Sequence, residues 1–231
     1  LDTYDTERRP VGMRNVDWAM FTALNHGVLD AGMGFSPIQT LAERRANFEA
    51  FFADTPMGAT RRARAAEVFA TQRTEFQAHD LELGFSYAAG ALLPDGSKAA
   101  PHDPLGSHYV ATTRPGHRLP HAWLVRRDRT LSTLDLCGKG ERFVLITGPG
   151  GHAWHAAARA EFERCGVALA IACIDRSDCL DRDGRWREVC GIGDAGAVLV
   201  RPDQHVAWRH AGAAADPRAE MARVVATVLA R

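Results

Sequence analysis

Neither sign of charge prevails in this chain. Lys and Arg number 28 and so do Asp and Glu, so no net field draws in a polyanion. The basic clusters Arg44-Arg45 and Arg61-Arg62/Arg64 recur at helical spacing among Ala and Glu. They read as solvated helix faces, and no nucleic-acid partner is expected. Paired cysteine spacing is also missing. Cys137, Cys165, Cys173, Cys179 and Cys190 are odd in number, which suits reduced thiols in a cytoplasmic protein and excludes a disulfide framework. No apolar run approaches the roughly 20 residues of a membrane helix, so no membrane partner is expected.

Several chemical signatures are absent as well. There is no Gly-x-Ser-x-Gly elbow, and no Cys or carboxylate has zinc-module spacing around His152 and His155. The acidic run Asp175, Asp178, Asp181, Asp183 lacks the twelfth-position Glu of a calcium loop and reads as solvated. His102, His108, His117 and His121 have no evident nucleophile or orienting partner, and turn-capping roles suffice for them. No metal site is expected.

What is present is globular material, 231 residues of which 46% are apolar, enough for one large domain or two small ones. From Val11 to about Val28 the residues Val11, Trp18, Phe21, Leu24 and Val28 mark one buried helical stripe, with Pro10 suited to the first turn. A second helix is expected to carry Leu41, Phe48, Phe51 and Phe52. A third, Gly58 to Gln77, turns Phe69 and Phe76 inward. Residues 1–77 thus read as helical. Residues 78–121, rich in Gly and Pro, read as an extended surface connector.

From residue 122 onward the pattern alternates. Phe143–Thr147 predicts a strand buried on both faces, ended by Gly148-Pro149-Gly150-Gly151, and His152 to Cys165 predicts a helix with Trp154, Ala158, Phe162 and Cys165 inward. Gly166 terminates that helix before a second central strand, Val167 to Ile174. A short helix around Trp186–Val189 follows. Ala197–Val200 and His205–Trp208 flank Pro202-Asp203-Gln204 as a hairpin, and Asp216 with Pro217 starts a last helix carrying Met221, Val224, Val225, Val228 and Leu229. Strand–helix–strand, then helix–hairpin–helix, predicts a thioredoxin-like α/β domain with a mixed sheet over residues 122–231.

An active thioredoxin carries Cys-x-x-Cys where its first strand meets its helix, because the helix N-terminus lowers the first thiol's pKa. Here the junction Gly148–Gly151 holds no sulfur, and Gly193-Asp194-Ala195-Gly196-Ala197 lacks the proline that would face the thiols. Disulfide exchange is not expected. The glycines read as a tight turn in preference to an anion cradle, and Lys139 as an exposed loop residue. Cys137 and Cys179, in loop-like sequence, are the candidates for a thiol peroxidase reading, though neither sits at the junction.

Three stretches carry a resemblance. Tyr4-Asp5-Thr6-Glu7-Arg8-Arg9-Pro10, Glu82-Leu83-Gly84-Phe85-Ser86-Tyr87, and Arg114 to Leu136 resemble, in order, segments of flavin-dependent aromatic hydroxylases of the phenol and chlorophenol branch. In that family the first stretch follows the last flavin-contacting motif. The resemblance implies a parent enzyme that uses FAD, NAD(P)H and O₂ to hydroxylate a phenolic ring, with a homodimer as its assembly. It also implies that a chain opening at Leu1 is cut in mid-domain, with an N-terminal FAD and substrate portion as its missing partner. The chain has no Gly-x-Gly-x-x-Gly strand-turn-helix and no Gly-Asp motif for the ribityl chain. No catalytic, cofactor-binding or metal residue is therefore assigned, and an inert structural or dimerisation fragment is expected. The competing expectation is a stand-alone, non-catalytic thioredoxin-like binding module.

Overall fold

The computed structural model describes residues 2–101, 103–175 and 179–230. They divide into two compact units, one formed by Leu1–Val11, Leu83–Pro101 and Val110–Arg231, the other by Gly12–Glu82 and His102–Tyr109.

The helical unit contains most of α1 (Tyr4–Met33), then α2 (Leu41–Phe52), α3 (Pro56–Ala70) and the single turns α4 (Arg73–Phe76) and α5 (His79–Glu82). Caps set these boundaries. Thr40 and Glu43 form a reciprocal capping box on α2, and Thr55 accepts the Gly58 N–H with Pro56 opening α3. The expected burial fails here. Of the α1 stripe Val11 is buried and Trp18 half-buried, while Phe21 and Val28 are exposed and Leu24 is 77% exposed. Phe51 is buried on α2, but Leu41, Phe48, Phe52, Phe69 and Phe76 are exposed. Periodicity finds the apolar face of a helix, not what covers it. Pro10 is the seventh residue of α1 and not in its first turn. The helix starts earlier than the stripe predicts, and its first turns carry Glu7 and Arg8, both in long-range contacts.

The second unit is built on a four-stranded sheet of β3 (Phe143–Thr147), β4 (Leu169–Cys173), β5 (Ala197–Val200) and β6 (Val206–His210), preceded by a two-stranded hairpin of β1 (Trp123–Arg126) and β2 (Arg129–Ser132). The sheet order is β4-β3-β5-β6. β3 is parallel to β4 and antiparallel to β5, which is antiparallel to β6. This is the predicted thioredoxin-like arrangement. β4 lies at an edge, not in the centre, and its residues are mostly half-buried.

Side chains alternate between two cores. Phe143, Leu145 and Leu199 face α6 (His152–Cys165) and α8 (Pro217–Val228), where Trp154, Phe162, Met221 and Val224 close one core. Val144, Ile146, Val198 and Val200 face the other way, onto Leu124, Leu136, Ile174 and Trp186 of α7 (Arg185–Val189). Gly166 ends α6 in the left-handed region at φ 66°, and Asp216 accepts the Arg218 and Ala219 N–H groups to cap α8. Cys165, expected inward, is half-buried.

The stretch around residues 83–120 is less superficial than expected. Gly116 and Leu119 donate to the Val206 and Gln204 carbonyls, and Leu93 donates to Ala207, so these segments occupy the free edge of β6. No helix among the described residues is long and apolar enough to cross a membrane.

Candidate functional site

The first place to look for chemistry is the turn between β3 and α6. Gly148 N–H donates to the Gly196 carbonyl at 3.3 Å, Gly150 N–H to Asp194 at 2.8 Å, and the Trp154 indole N–H to Ala195 at 2.9 Å. Three successive carbonyls of the 193–196 loop thus tie down the turn that leads into α6 and the Trp154 side chain of its first turn. Space is closed as well. A Cβ on Gly148 would lie 2.5 Å from the Asp194 oxygen, and one on Gly151 would lie 2.7 Å from the Thr147 Cβ. The turn therefore needs glycine for close backbone approach.

Gly191-Ile192-Gly193-Asp194-Ala195-Gly196 has the glycine spacing of a dinucleotide fingerprint and contains a Gly-Asp pair, a coincidence that spacing alone does not resolve. The loop runs from α7 into β5, the reverse of strand-to-helix. Its Gly193 and Gly196 N–H groups are taken by the Ala211 and Gly193 carbonyls. These residues do not fit a flavin or nicotinamide pyrophosphate.

Sulfur does approach the turn, unnoticed in the sequence: Cys173 Sγ, at the end of β4, lies 3.4 Å from the Gly148 carbonyl it donates to. A cavity of about 200 Å³ beside it is lined by Pro149, Ile174, Trp186, Cys190 and Asp194. Burial pushes the Cys190 thiol up, and its Sγ donates to the Ile192 carbonyl. The peroxidase candidates are not loop residues at a surface. Cys137 and Cys179 are buried, and burial pushes the Cys137 thiol up to about 11, far from a reactive thiolate.

The histidines and acids scatter. His152 and His155 rings meet edge to face at 5.3 Å, and His155 Nε2 lies 2.9 Å from Thr147 Oγ1. His117 is buried, His108 is exposed, and His121 Nδ1 lies 2.8 Å from Ser132 Oγ. His102 and Asp178 lie outside the described residues. The acidic run is not simply solvated. Asp181 is buried and accepts the Arg187 N–H at 2.9 Å, while the Arg187 side chain pairs with Asp175 at 2.5 Å. Lys139 is exposed in its loop.

A dense polar constellation was not legible from spacing. Glu7, on the first turns of α1, takes both guanidinium arms of Arg201 at 2.7 and 2.9 Å and the Ala91 N–H at 2.7 Å. Glu7 is 5% exposed and Arg201 13%. The Arg201 guanidinium sits 5.3 Å from the Tyr87 ring centre and also pairs with Asp203 at 2.9 Å. Tyr87 stacks on His205 at 4.4 Å and accepts a hydrogen bond from Arg8 at 2.9 Å. Burial opposes ionisation of Glu7, but the Arg201 hydrogen bonds, the Ala91 N–H and the guanidinium charge outweigh it and hold the carboxyl below its ordinary range. Gly90, at φ 115°, leaves the space that Glu7 fills. Glu7, Arg8 and Tyr87 belong to two of the stretches that carry the family resemblance, which was the available signal.

Comparison with known proteins agrees with that resemblance. Residues 112–231 match the family described as aromatic-ring hydroxylase, C-terminal. The chain is 36% identical over 229 residues to phenol 2-monooxygenase of Pseudomonas sp. (strain EST1001), covering 94% of this chain and 36% of that protein. It is 32% identical over 234 residues to 2,4-dichlorophenol 6-monooxygenase of Cupriavidus pinatubonensis, covering all of this chain and 39% of the relative. Among solved structures, the flavin-dependent monooxygenase PieE in complex with FAD and substrate superposes with a TM-score of 0.81 at 40% identity, over all of this chain and 40% of PieE. The chain spans well under half the length of these relatives. A matched domain over half the chain, inside a structural correspondence that covers all of this chain, places it in the aromatic-ring hydroxylase family, with the matched domain the one described as C-terminal.

Proposed function

We propose that this chain is the C-terminal portion of an FAD-dependent monooxygenase that hydroxylates a phenolic ring, and that the portion is architectural, not catalytic. In such a reaction NAD(P)H supplies two electrons, one atom of O₂ enters the ring and the other leaves as water; bound FAD supplies the electron transfer and oxygen activation. The residues present offer no cradle for that group, so no step of the reaction is assigned to them. On this reading residues 1–77 are the helical close of the FAD domain, 78–121 a connector, and 122–231 a thioredoxin-like domain that supports a cytoplasmic homodimer.

The observation that carries the reading is sequence similarity to phenol and dichlorophenol monooxygenases along nearly the whole chain. The face of α1 supports it. Met13, Val16, Met20, Phe21, Leu24 and Val28 are all exposed, more contiguous apolar surface than a soluble helix ordinarily leaves to water. The N-terminal portion that the longer relatives possess is the cover the reading supplies.

The test compares residues 1–231 with the parent protein. The parent is expected to be yellow, dimeric by light scattering, and to oxidise NAD(P)H in response to a phenol. Residues 1–231 alone are expected to be colourless and without NAD(P)H oxidation. Stoichiometric FAD binding by residues 1–231, or a colourless parent inert toward phenols, refutes the proposal.

A further inference from the structure

The Glu7–Arg201 pair joins groups 194 positions apart in sequence, and its surroundings are built for it. Ala91 N–H completes the carboxylate's bonding, Tyr87 floors the guanidinium, Asp203 holds the guanidinium's outer edge, and Gly90 leaves room. An isolated buried charge on either side would be costly, so the site favours one occupant in one pose. The residues up to Val11 belong to the thioredoxin-like unit, although the same helix continues to Met33.

We infer that Arg201 is a positioning residue: through Glu7 it fixes the start of α1 onto the thioredoxin-like unit, and thereby fixes the chain that leads into α1. Resting on the flavoprotein reading, in which the Tyr4–Pro10 stretch follows the last flavin-contacting segment, the clamp sets the placement of that segment. The thioredoxin-like unit then acts on the oxygenase by holding backbone and contributes no reactive group. Loss of the clamp is expected to loosen the chain that leads into α1, read in the parent protein as weaker FAD retention and a smaller share of NAD(P)H electrons recovered as hydroxylated product.

The experiment has two arms. In residues 1–231, amide hydrogen exchange is measured for wild type, Arg201→Met, Arg201→Lys, Glu7→Gln and, as control, Arg209→Met, which breaks another mostly buried ion pair of the same unit, with Asp95 at 2.5 Å. Arg201→Met is expected to speed exchange of residues 5–11 by at least about tenfold, Arg201→Lys and Glu7→Gln by less, and Arg209→Met to leave them within about twofold. In the parent protein, the same variants are read for FAD dissociation and for the share of NAD(P)H electrons recovered as hydroxylated product and as peroxide. Arg201→Met is expected to weaken FAD retention by about tenfold or to halve the product share at least, with partial rescue by Arg201→Lys and no change in Arg209→Met. Unchanged exchange at residues 5–11, or equal losses in Arg201→Met and Arg209→Met, overturns the clamp. Should Arg201→Met not fold, Glu7→Gln decides by the same criteria. A wild-type parent that holds no flavin fails the flavoprotein reading, while the exchange arm still decides the clamp.

Discussion

Gly148→Ala should destabilise the protein by about 2–4 kcal/mol, and the sum follows from the turn's geometry. The added Cβ would stand 2.5 Å from the Asp194 oxygen, 2.8 Å from the Gly193 oxygen and 2.9 Å from the Asp194 carbonyl carbon. These are backbone atoms, so no side-chain rotation relieves the overlap. Restoring ordinary contact requires the 193–196 loop to retreat by roughly 1 Å. That retreat strains a packed region at about 1–3 kcal/mol and stretches the Gly150–Asp194 and Trp154–Ala195 hydrogen bonds, each worth about 1 kcal/mol. The smaller conformational freedom of alanine in the unfolded chain returns about 0.4–1 kcal/mol. At about 2–4 °C per kcal/mol for a chain of this size, the midpoint of thermal unfolding should fall by roughly 4–16 °C. Gly12→Ala is the opposing control. Nothing lies within 4 Å of its Cβ position inside α1, so it should gain about 0.5–1 kcal/mol from helix propensity. Circular dichroism melts and urea titration of the three proteins are sufficient. A Gly148→Ala protein that melts at or above the wild-type midpoint would refute the close-approach argument.

Thr133 is fully buried, donates to the Pro120 carbonyl at 2.6 Å and accepts the Ala122 N–H at 3.1 Å. Thr133→Val keeps the shape and orphans both groups, and urea titration should show a loss of about 2–4 kcal/mol. Glu7, Asp95 and Asp203 all have carboxyls held below their ordinary range, with burial opposing and ion pairs and hydrogen bonds prevailing. Their contribution is complete above the unfolded carboxylate range and is lost as pH falls through it toward the lower folded values. Urea midpoints should therefore decline on acidification below about pH 5, less steeply in Glu7→Gln. At the alkaline end Cys137 keeps its proton in the fold until about 11 while the unfolded thiol ionises near 9.0. Stability should fall as pH rises between those values, a slope that Cys137→Ala removes, and native protein should resist alkylation at Cys137 until denatured.

Sequence reading succeeded where punctuation and burial coincide. Gly148–Gly151 and Gly166 bracket α6, which runs His152–Cys165 as expected, and Asp216-Pro217 opens α8, which ends at Val228 with Leu229 as its cap. It failed where the deciding contact is remote or the turn residue is unusual. The β1–β2 hairpin turns through Arg127 and Asp128, both at positive φ (49° and 63°), without the glycine that normally announces such a turn. The 3₁₀ helix Thr133–Cys137 rests on a capping box between Ser132 and Asp135, inside a stretch noticed for its resemblance and not for its chemistry. The candidate site divides the same way. The missing sulfur at the junction is visible in four letters, whereas Arg201 meets Glu7 only after the chain has folded across 194 positions.

The two halves of that contrast point to one physical role. A helix N-terminus aimed at empty space would be an anion site, and a thioredoxin-like fold presents one by construction. Here the Asp194, Ala195 and Gly196 carbonyls bind the Gly150, Trp154 indole and Gly148 N–H groups beside it, which makes the β3–α6 turn a packed joint. The polar work has moved to the far end of β5, where Arg201 follows Val200 and reaches a carboxylate from the chain's first helix. A buried pair of this kind contributes little net stability compared with apolar packing, yet removing one partner costs about 3–5 kcal/mol. That asymmetry penalises every arrangement except the one with Glu7 in place. A sheet buried on both faces supplies the stiffness to hold such a pair at fixed geometry, and on the proposed reading that stiffness is what this thioredoxin-like unit contributes.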